Sequence, residues 1–366
     1  MRVIDLKNID ANKTVNALKG NNNYNIDNTT KPNKKVNKNY DQPFPIDLVY
    51  TWVDSSDEKW LKSYEKQRKN MKLRINQKNF ASRYESFEEF RYSLRTVEKF
   101  LLPMINKIYI VTADQIPKWI NTDLSIIQFV SHSDIFPNYC SYKKASEDPD
   151  SKHHEKCLPT FNSNAIDFSL INIPNLSEHF IYCNDDMYFG NNVNWTDFFD
   201  EFGRPKYISK DKDWSHIRSE WHSYKLMTLD SEQGGKQFTA MVANTITTFM
   251  DKFGLKNPVE AEFSHIPFPM TKTLFLEVIE AFKDKIDKTI QSRFRLTTNL
   301  QMETLMIQYG LYKKKAVKIK RSSRNCRFFV ADNEIGFYNL VAYVKKKPKM
   351  FCINADSDFY ARKIQG

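Results

Sequence analysis

A run of β-branched, aromatic and aliphatic residues, Ile46-Asp47-Leu48-Val49-Tyr50-Thr51-Trp52-Val53, ends abruptly in Asp54-Ser55-Ser56-Asp57. A nearly continuous apolar stretch of strand length predicts burial on both faces, the condition of an interior strand in a parallel sheet covered by helices. The pattern recurs at His179-Phe180-Ile181-Tyr182-Cys183, which runs into Asn184-Asp185-Asp186 and then Gly190. Open α/β sheets bind ligands beyond the carboxyl ends of their strands, so two acid-tipped strands predict one polar crevice.

The segments between these runs keep the rhythm of such a sheet. A polar helix is expected up to about Asn70. Ser86-Phe87-Glu88-Glu89 has the capping-box pattern and opens an amphipathic helix with Phe90, Leu94, Val97 and Leu101 on one face, closed by Pro103. Lys107 to Thr112 reads as a second strand, Pro117 to Ile120 as a turn of helix, and Ile126 to Val130 as a third strand. A charged insertion between Cys140 and Cys157 precedes a helix from Asn164 to Ile173, which Pro174 stops. Beyond it, helices are expected near 236–253, 271–287 and 299–310, with short strands near 316–320, 326–330 and 349–353. The fold class is therefore α/β: a mixed, mainly parallel sheet flanked by helices, with a helix-rich C-terminal elaboration. Residues 1–43, rich in Asn and Lys, read as a flexible basic arm, and 44–360 as a single domain with its sheet core in 46–205 and its helix-rich part in 206–360.

Composition excludes several classes. No apolar run reaches the roughly 18 residues of a membrane span, and the N-terminus has no signal-like apolar stretch. Walker A, GxGxxG and GxSxG patterns are missing, which argues against a P-loop ATPase, a Rossmann dehydrogenase and an α/β-hydrolase. The five cysteines are scattered with no CxxC spacing, so neither a zinc site nor a disulfide framework is expected, and a reducing, cytoplasmic setting follows. Lys and Arg total 55 against 44 Asp and Glu, a formal net charge of +11. Lys313 to Arg327 concentrates basic side chains without an acid, a patch for a polyanion or simply a solvated face.

Among single residues, Asp185 and Asp186 carry the sharpest chemistry. Adjacent carboxylates after a buried strand suit a hard divalent cation, Mg²⁺ or Mn²⁺, bridging to a diphosphate; the plain alternative is a turn whose acids cap a helix or form ion pairs. Arg91 and Arg95, four apart on one helix, can address a phosphate together or pair with Glu88 and Glu98. His265 lies in Ser264-His265-Ile266-Pro267-Phe268-Pro269, where the prolines stiffen the backbone around it.

These motifs resemble the Stealth proteins, which include bacterial capsular polysaccharide phosphotransferases and the catalytic region of the lysosomal-enzyme GlcNAc-1-phosphotransferase. The resemblance rests on IDLVYTWVDSSD (Ile46 to Asp57), ASRYESFEEFRYSLRTVEKF (Ala81 to Phe100), KIYIVTADQIPKWI, LPTFNSNAI (Leu158 to Ile166), HFIYCNDDMYFG (His179 to Gly190), FSHIPFPMTKTLFLEV with Phe294 and Arg295, and MFCINADSDF. It implies transfer of a sugar 1-phosphate from a UDP-sugar to a glycan hydroxyl, giving a phosphodiester and UMP. It also implies roles: Asp185 and Asp186 at the metal and catalytic centre, Asp54 and Asp57 on the donor side, and Arg91, Arg95 and Arg295 as phosphate contacts. Asn162 and Asn164 would meet sugar or phosphate, and His265 would be the base or transition-state stabiliser with Asp186 the runner-up. Asp356 is carried over only from the last block. The expected partners are a nucleotide-sugar and a glycan acceptor, with peripheral membrane or capsule-assembly contacts and no nucleic acid.

Two other functions fit parts of the sequence. A metal-dependent glycosyltransferase that attacks C1 and releases UDP would use the same acid motif. A non-catalytic basic module would bind nucleic acid or anionic membrane through 1–43 and 313–327 and would have no use for Asp185 and Asp186.

Overall fold

The computed structural model describes residues 42–71, 86, 88–144, 153–210, 216–225, 234–260, 262–322, 325–330 and 334–354. Residues 1–41 of the predicted 1–43 arm, most of Ala81 to Phe87, the middle of the Cys140 to Cys157 insertion, and Asp356 lie outside them.

A five-stranded sheet in the order β3-β2-β1-β4-β8 organises the molecule. Its strands are β1 (Ile46–Thr51), β2 (Ile105–Thr112), β3 (Ile127–Ser131), β4 (His179–Asn184) and β8 (Phe268–Thr271). The first four run parallel, and β8 joins the edge of β4 antiparallel. The α/β expectation therefore holds. Alternate residues of the interior strands enter two different apolar layers. Val49, Tyr109, Val111, Phe180 and Tyr182 face one layer, and Leu48, Tyr50, Ile108, Ile110, Ile181 and Cys183 face the other. Burial on both faces is why these strands read as unbroken apolar runs rather than as an alternation.

Helix α2 (Glu89–Phe100) covers the second face with Phe90, Leu94 and Val97. It opens differently from the predicted capping box. Glu88 is the N-cap, in a left-handed conformation at φ 63°, with no side-chain cap, while Ser86 Oγ accepts from Glu88 N at 3.2 Å and donates to Glu89 at 3.0 Å. The first face is covered by α4 (Ser163–Ser169), α7 (Lys272–Ile290) and α8 (Met302–Tyr312). Helix α1 (Glu58–Asn70) packs Trp60 and Tyr64 on Phe161 and Phe294. The remaining helices are α3 (His132–Ile135), α5 (Ile217–Lys225), α6 (Gly234–Phe253) and α9 (Glu334–Val344). Pro117 to Ile120 forms only a hydrogen-bonded turn.

Two smaller sheets complete the frame. One has the order β10-β11-β5, from Cys326–Val330, Met350–Asn354 and Met187–Phe189; the other is β7-β6-β9, from Glu262–Phe263, Lys206–Lys210 and Val317–Lys320. Strands β5 to β8 did not stand out in the sequence because they are short or, in β8, interrupted by Pro269.

Cys140 and Cys157 are joined by a disulfide, contrary to the expectation of unpaired thiols. The pair closes a loop of separation 17 and carries no spacing motif, so only the fold reveals it. It also removes the cysteine-based argument for a reducing compartment. Cys183, Cys326 and Cys352 are free and buried. No helix among the described residues is long and apolar enough to cross a membrane. The basic run is partly consumed by the fold: Lys315 pairs with Glu277, Lys318 with Glu260 at 2.6 Å, and the Lys313 ammonium lies over Phe253, Tyr309 and Tyr312.

Candidate active site at the carboxyl edge of the sheet

Asp185 and Asp186 occupy the turn between β4 and β5. Three structural facts bring partners to this turn. Parallel pairing of Thr51 with Asn184 sets the end of β1 beside the end of β4. The antiparallel register of Tyr182 with Phe268 carries the segment just before β8, and with it His265, alongside Asn184. Pairing of Met187 with Cys352 sets β11 against the far side, where Ile353 N donates to Asp186 O at 3.1 Å.

The resulting cluster is compact. Cys352 Sγ donates to Asp186 Oδ2 at 3.2 Å, and His265 Nε2 lies 4.0 Å from Asp186 Oδ1. Asp186 Oδ1 is buried and accepts no hydrogen bond. Burial first, and then the charges of Asp186 and Glu89, push the Asp185 carboxyl up to about 8. Burial and the neighbouring Asp186 also raise the Cys352 thiol well above its usual value. Crowded carboxylates with one buried oxygen lacking a donor form a site whose electrostatic deficit is positive charge. Asp185, Asp186 and Glu89 act on one another electrostatically here, and carboxylate oxygens are the donors that a hard cation such as Mg²⁺ or Mn²⁺ would take.

Behind His265 runs a chain of buried polar contacts. Asn184 Nδ2 is 3.3 Å from His265 Nε2, and Asn184 Oδ1 is 2.8 Å from the Tyr182 hydroxyl. That hydroxyl also lies 2.8 Å from Asp167 Oδ1 and 3.1 Å from Thr51 Oγ1. Burial and then the Glu303 charge raise the Asp167 carboxyl well above its usual range, and burial raises Glu303 as well. A single phenolic proton cannot serve both Asp167 and Asn184. The Tyr182 hydroxyl is therefore shared between the Asp167 carboxyl and Asn184 Oδ1, and the Asn184 amide nitrogen lies against the His265 ring. The chain thus fixes Asn184 beside the His265 ring at the mouth of the site.

The other predicted residues are placed as follows. Arg295 donates to Ser163 Oγ, and its charge acts on Asp167 and Glu303, so it sits behind the His265 chain. Arg91 pairs with Glu88 at 3.1 Å, and its Nε is buried without an acceptor, a donor left over for an anion. Arg95 lies 5.4 Å from the Tyr92 ring centroid on the same helix. Asp54 closes its own turn by accepting from Ser56 N and Oγ at 2.9 and 2.6 Å, and its backbone is clamped by Gln115.

Three further predicted residues have structural duties. Asp57 is the N-cap of α1, accepting from Trp60 N at 2.6 Å, which is a scaffold role. Asn162 is fully buried and committed: it caps α4, and its Nδ2 reaches Ser292 O and Asn299 Oδ1, each at 2.9 Å. Asn164 is also buried, against Asn162 Oδ1 and Met241. Both asparagine side chains are thereby engaged inside the scaffold.

Sequence reasoning missed Glu89, Tyr182, Asn184, Cys352 and the Asp167–Glu303 pair. Asn184 and Glu89 adjoin recognised motifs and were within reach. Cys352 lies 166 residues from Asp186 and no local pattern connects them.

Crowded carboxylates and a histidine at the carboxyl edge of a parallel sheet are the arrangement of an α/β ligand-binding crevice, and comparison with known proteins gives its class. Residues 44–72 match Stealth protein conserved region 1 and residues 83–207 match conserved region 2. The capsular polysaccharide phosphotransferase fcs1 of Haemophilus influenzae is 31% identical over 328 residues, covering 86% of this chain and 79% of that protein. The exopolysaccharide phosphotransferase cps2G of Lactiplantibacillus plantarum is 32% identical over 270 residues, covering 69% and 72%. The capsular polysaccharide phosphotransferase WcwK of Streptococcus pneumoniae is 31% identical over 326 residues, covering 84% and 90%. The chain belongs to the Stealth family of phosphotransferases.

Proposed function

We propose that this chain transfers a sugar 1-phosphate from a UDP-sugar to a hydroxyl of a growing capsular or exopolysaccharide chain and releases UMP. The convergence of Asp185 and Asp186 with His265 at the carboxyl edge of β4 is the observation that carries this reading. A hydroxyl attacking the sugar-linked phosphorus needs three things: a neutralised diphosphate, an oriented nucleophile and an acceptor for its proton.

Asp185 and Asp186 would hold a divalent cation, which when bound offsets the negative charge of the diphosphate. His265, steadied by its contact with Asn184, takes the hydroxyl proton on an imidazole nitrogen as the new P–O bond forms. The bond from that phosphorus to the UMP oxygen breaks, and the electron pair leaves with UMP. Arg91 directs its spare Nε–H to a donor phosphate oxygen. Because the C1–O bond of the sugar stays intact, its anomeric configuration passes unchanged into the product.

The test is chromatography of nucleotide products from purified protein, Mg²⁺, a panel of UDP-sugars and short glycan acceptors. UMP release that requires both acceptor and Mg²⁺ is expected. Acceptor-dependent release of UDP would move the chemistry to C1 and overturn the proposal.

A further inference from the structure

We propose that Asp186, His265 and Cys352 form a binding site for a thiophilic divalent cation such as Zn²⁺, distinct in chemistry from the oxygen-ligated cation of the proposed reaction. One ligand comes from the turn after β4, one from the segment before β8, and one from β11. Their donor atoms all lie within 4.8 Å of one another.

A tetrahedral ion with bonds of about 2.0 Å to nitrogen and oxygen and about 2.3 Å to sulfur separates its donors by about 3.3 to 3.6 Å. The Asp186 Oδ2 to Cys352 Sγ separation, 3.2 Å, lies just under that range. The Asp186 Oδ1 to His265 Nε2 separation, 4.0 Å, closes with a small rotation of two side chains that both keep some solvent exposure. Internal hydrogen bonding explains only part of this cluster. The thiol serves Oδ2, whereas Oδ1 is buried and receives no donor at all. Hard cations gain nothing from a thiol, so sulfur biases these three groups towards zinc, cadmium or cobalt. With Asp186 bound through one oxygen, a coordination position remains for water or a ligand oxygen. The further consequence, which rests on the proposed function, is inhibition: a captured soft cation withdraws His265 Nε2 and Asp186 from the reaction.

The experiment titrates chelator-stripped full-length protein with Co²⁺ and reads the thiolate-to-cobalt charge-transfer band, a signal independent of turnover. One equivalent is expected to develop the band, and Zn²⁺ to abolish it by displacement. The band should vanish in Cys352→Ser and survive in Cys326→Ser, which removes a different buried thiol. His265→Gln, which leaves the thiol in place, should weaken Co²⁺ binding by more than about tenfold and covers the case in which Cys352→Ser does not fold. No band in the wild-type protein, or one that persists without Cys352, overturns the proposal. A Co²⁺ band together with Zn²⁺-insensitive turnover keeps the site and removes His265 from the proposed chemistry, so the two ideas fail separately.

Discussion

Replacing Tyr182 by Phe deletes one oxygen atom from the buried chain and tests whether that chain positions His265. The residue is 2% exposed, and its hydroxyl meets Asp167 and Asn184 at 2.8 Å each and Thr51 at 3.1 Å. Thr51 is partly exposed and regains water, but Asp167 is buried and Asn184 Oδ1 loses its donor. A buried group left without its partner costs about 1–3 kcal/mol. Two such groups, offset by the gain from the more apolar ring, give a predicted loss of about 2–4 kcal/mol. Urea unfolding followed by circular dichroism, with an unchanged slope, measures it. Asn184 is then free to rotate, so kcat should fall by about 10- to 100-fold while the donor KM changes little. Stability within about 0.5 kcal/mol of wild type together with unchanged kcat would refute the reasoning.

His132 supplies a pH test away from the site: burial lowers its imidazole from 6.5 to about 4, against a smaller upward pull from Asp114. Between those values the unfolded chain binds more protons, so this contribution is fully present above pH 6.5 and is lost as pH falls towards 4. The shift corresponds to at most about 3.4 kcal/mol, reduced to about 2 kcal/mol by partial exposure. Urea unfolding at several pH values should show His132→Asn flattening the acid limb. Asp57→Ala should cost about 1 kcal/mol through loss of the α1 cap and leave the donor KM unchanged, whereas a large rise in that KM would restore Asp57 to the donor side. Asn162→Ala empties a buried cap and its network, so a loss of about 3 kcal/mol in thermal or urea unfolding is expected. Gly190→Ala would set a Cβ 2.5 Å from Pro348 O, and a lowered unfolding midpoint is the expected result.

The interior of the fold was legible because its strands are buried on both faces: Leu48, Val49 and Tyr50 cannot be mistaken for a loop. Asp185, Asp186 and His265 each stood out singly, as acids directly after a buried strand and an imidazole beside prolines, but that they meet is seen only in the fold. Asp57 and Asn162 carry structural duties the sequence did not signal, because capping and ligand binding favour the same residue types and the Trp60 amide and the Ser292 carbonyl are seen only in the fold. Cys352 stayed hidden because β11 reaches the site through strand pairing, which leaves no local periodicity. The Cys140–Cys157 bond was equally silent for want of a spacing motif.

The central claim is that the phosphorus attached to the sugar moves with the sugar. A donor labelled with ³²P only at that phosphorus tests this directly, once the glycan product is separated from nucleotides after turnover. The account predicts label in the glycan and unlabelled UMP in solution. Label retained in released UDP, with an unlabelled glycan, would contradict it.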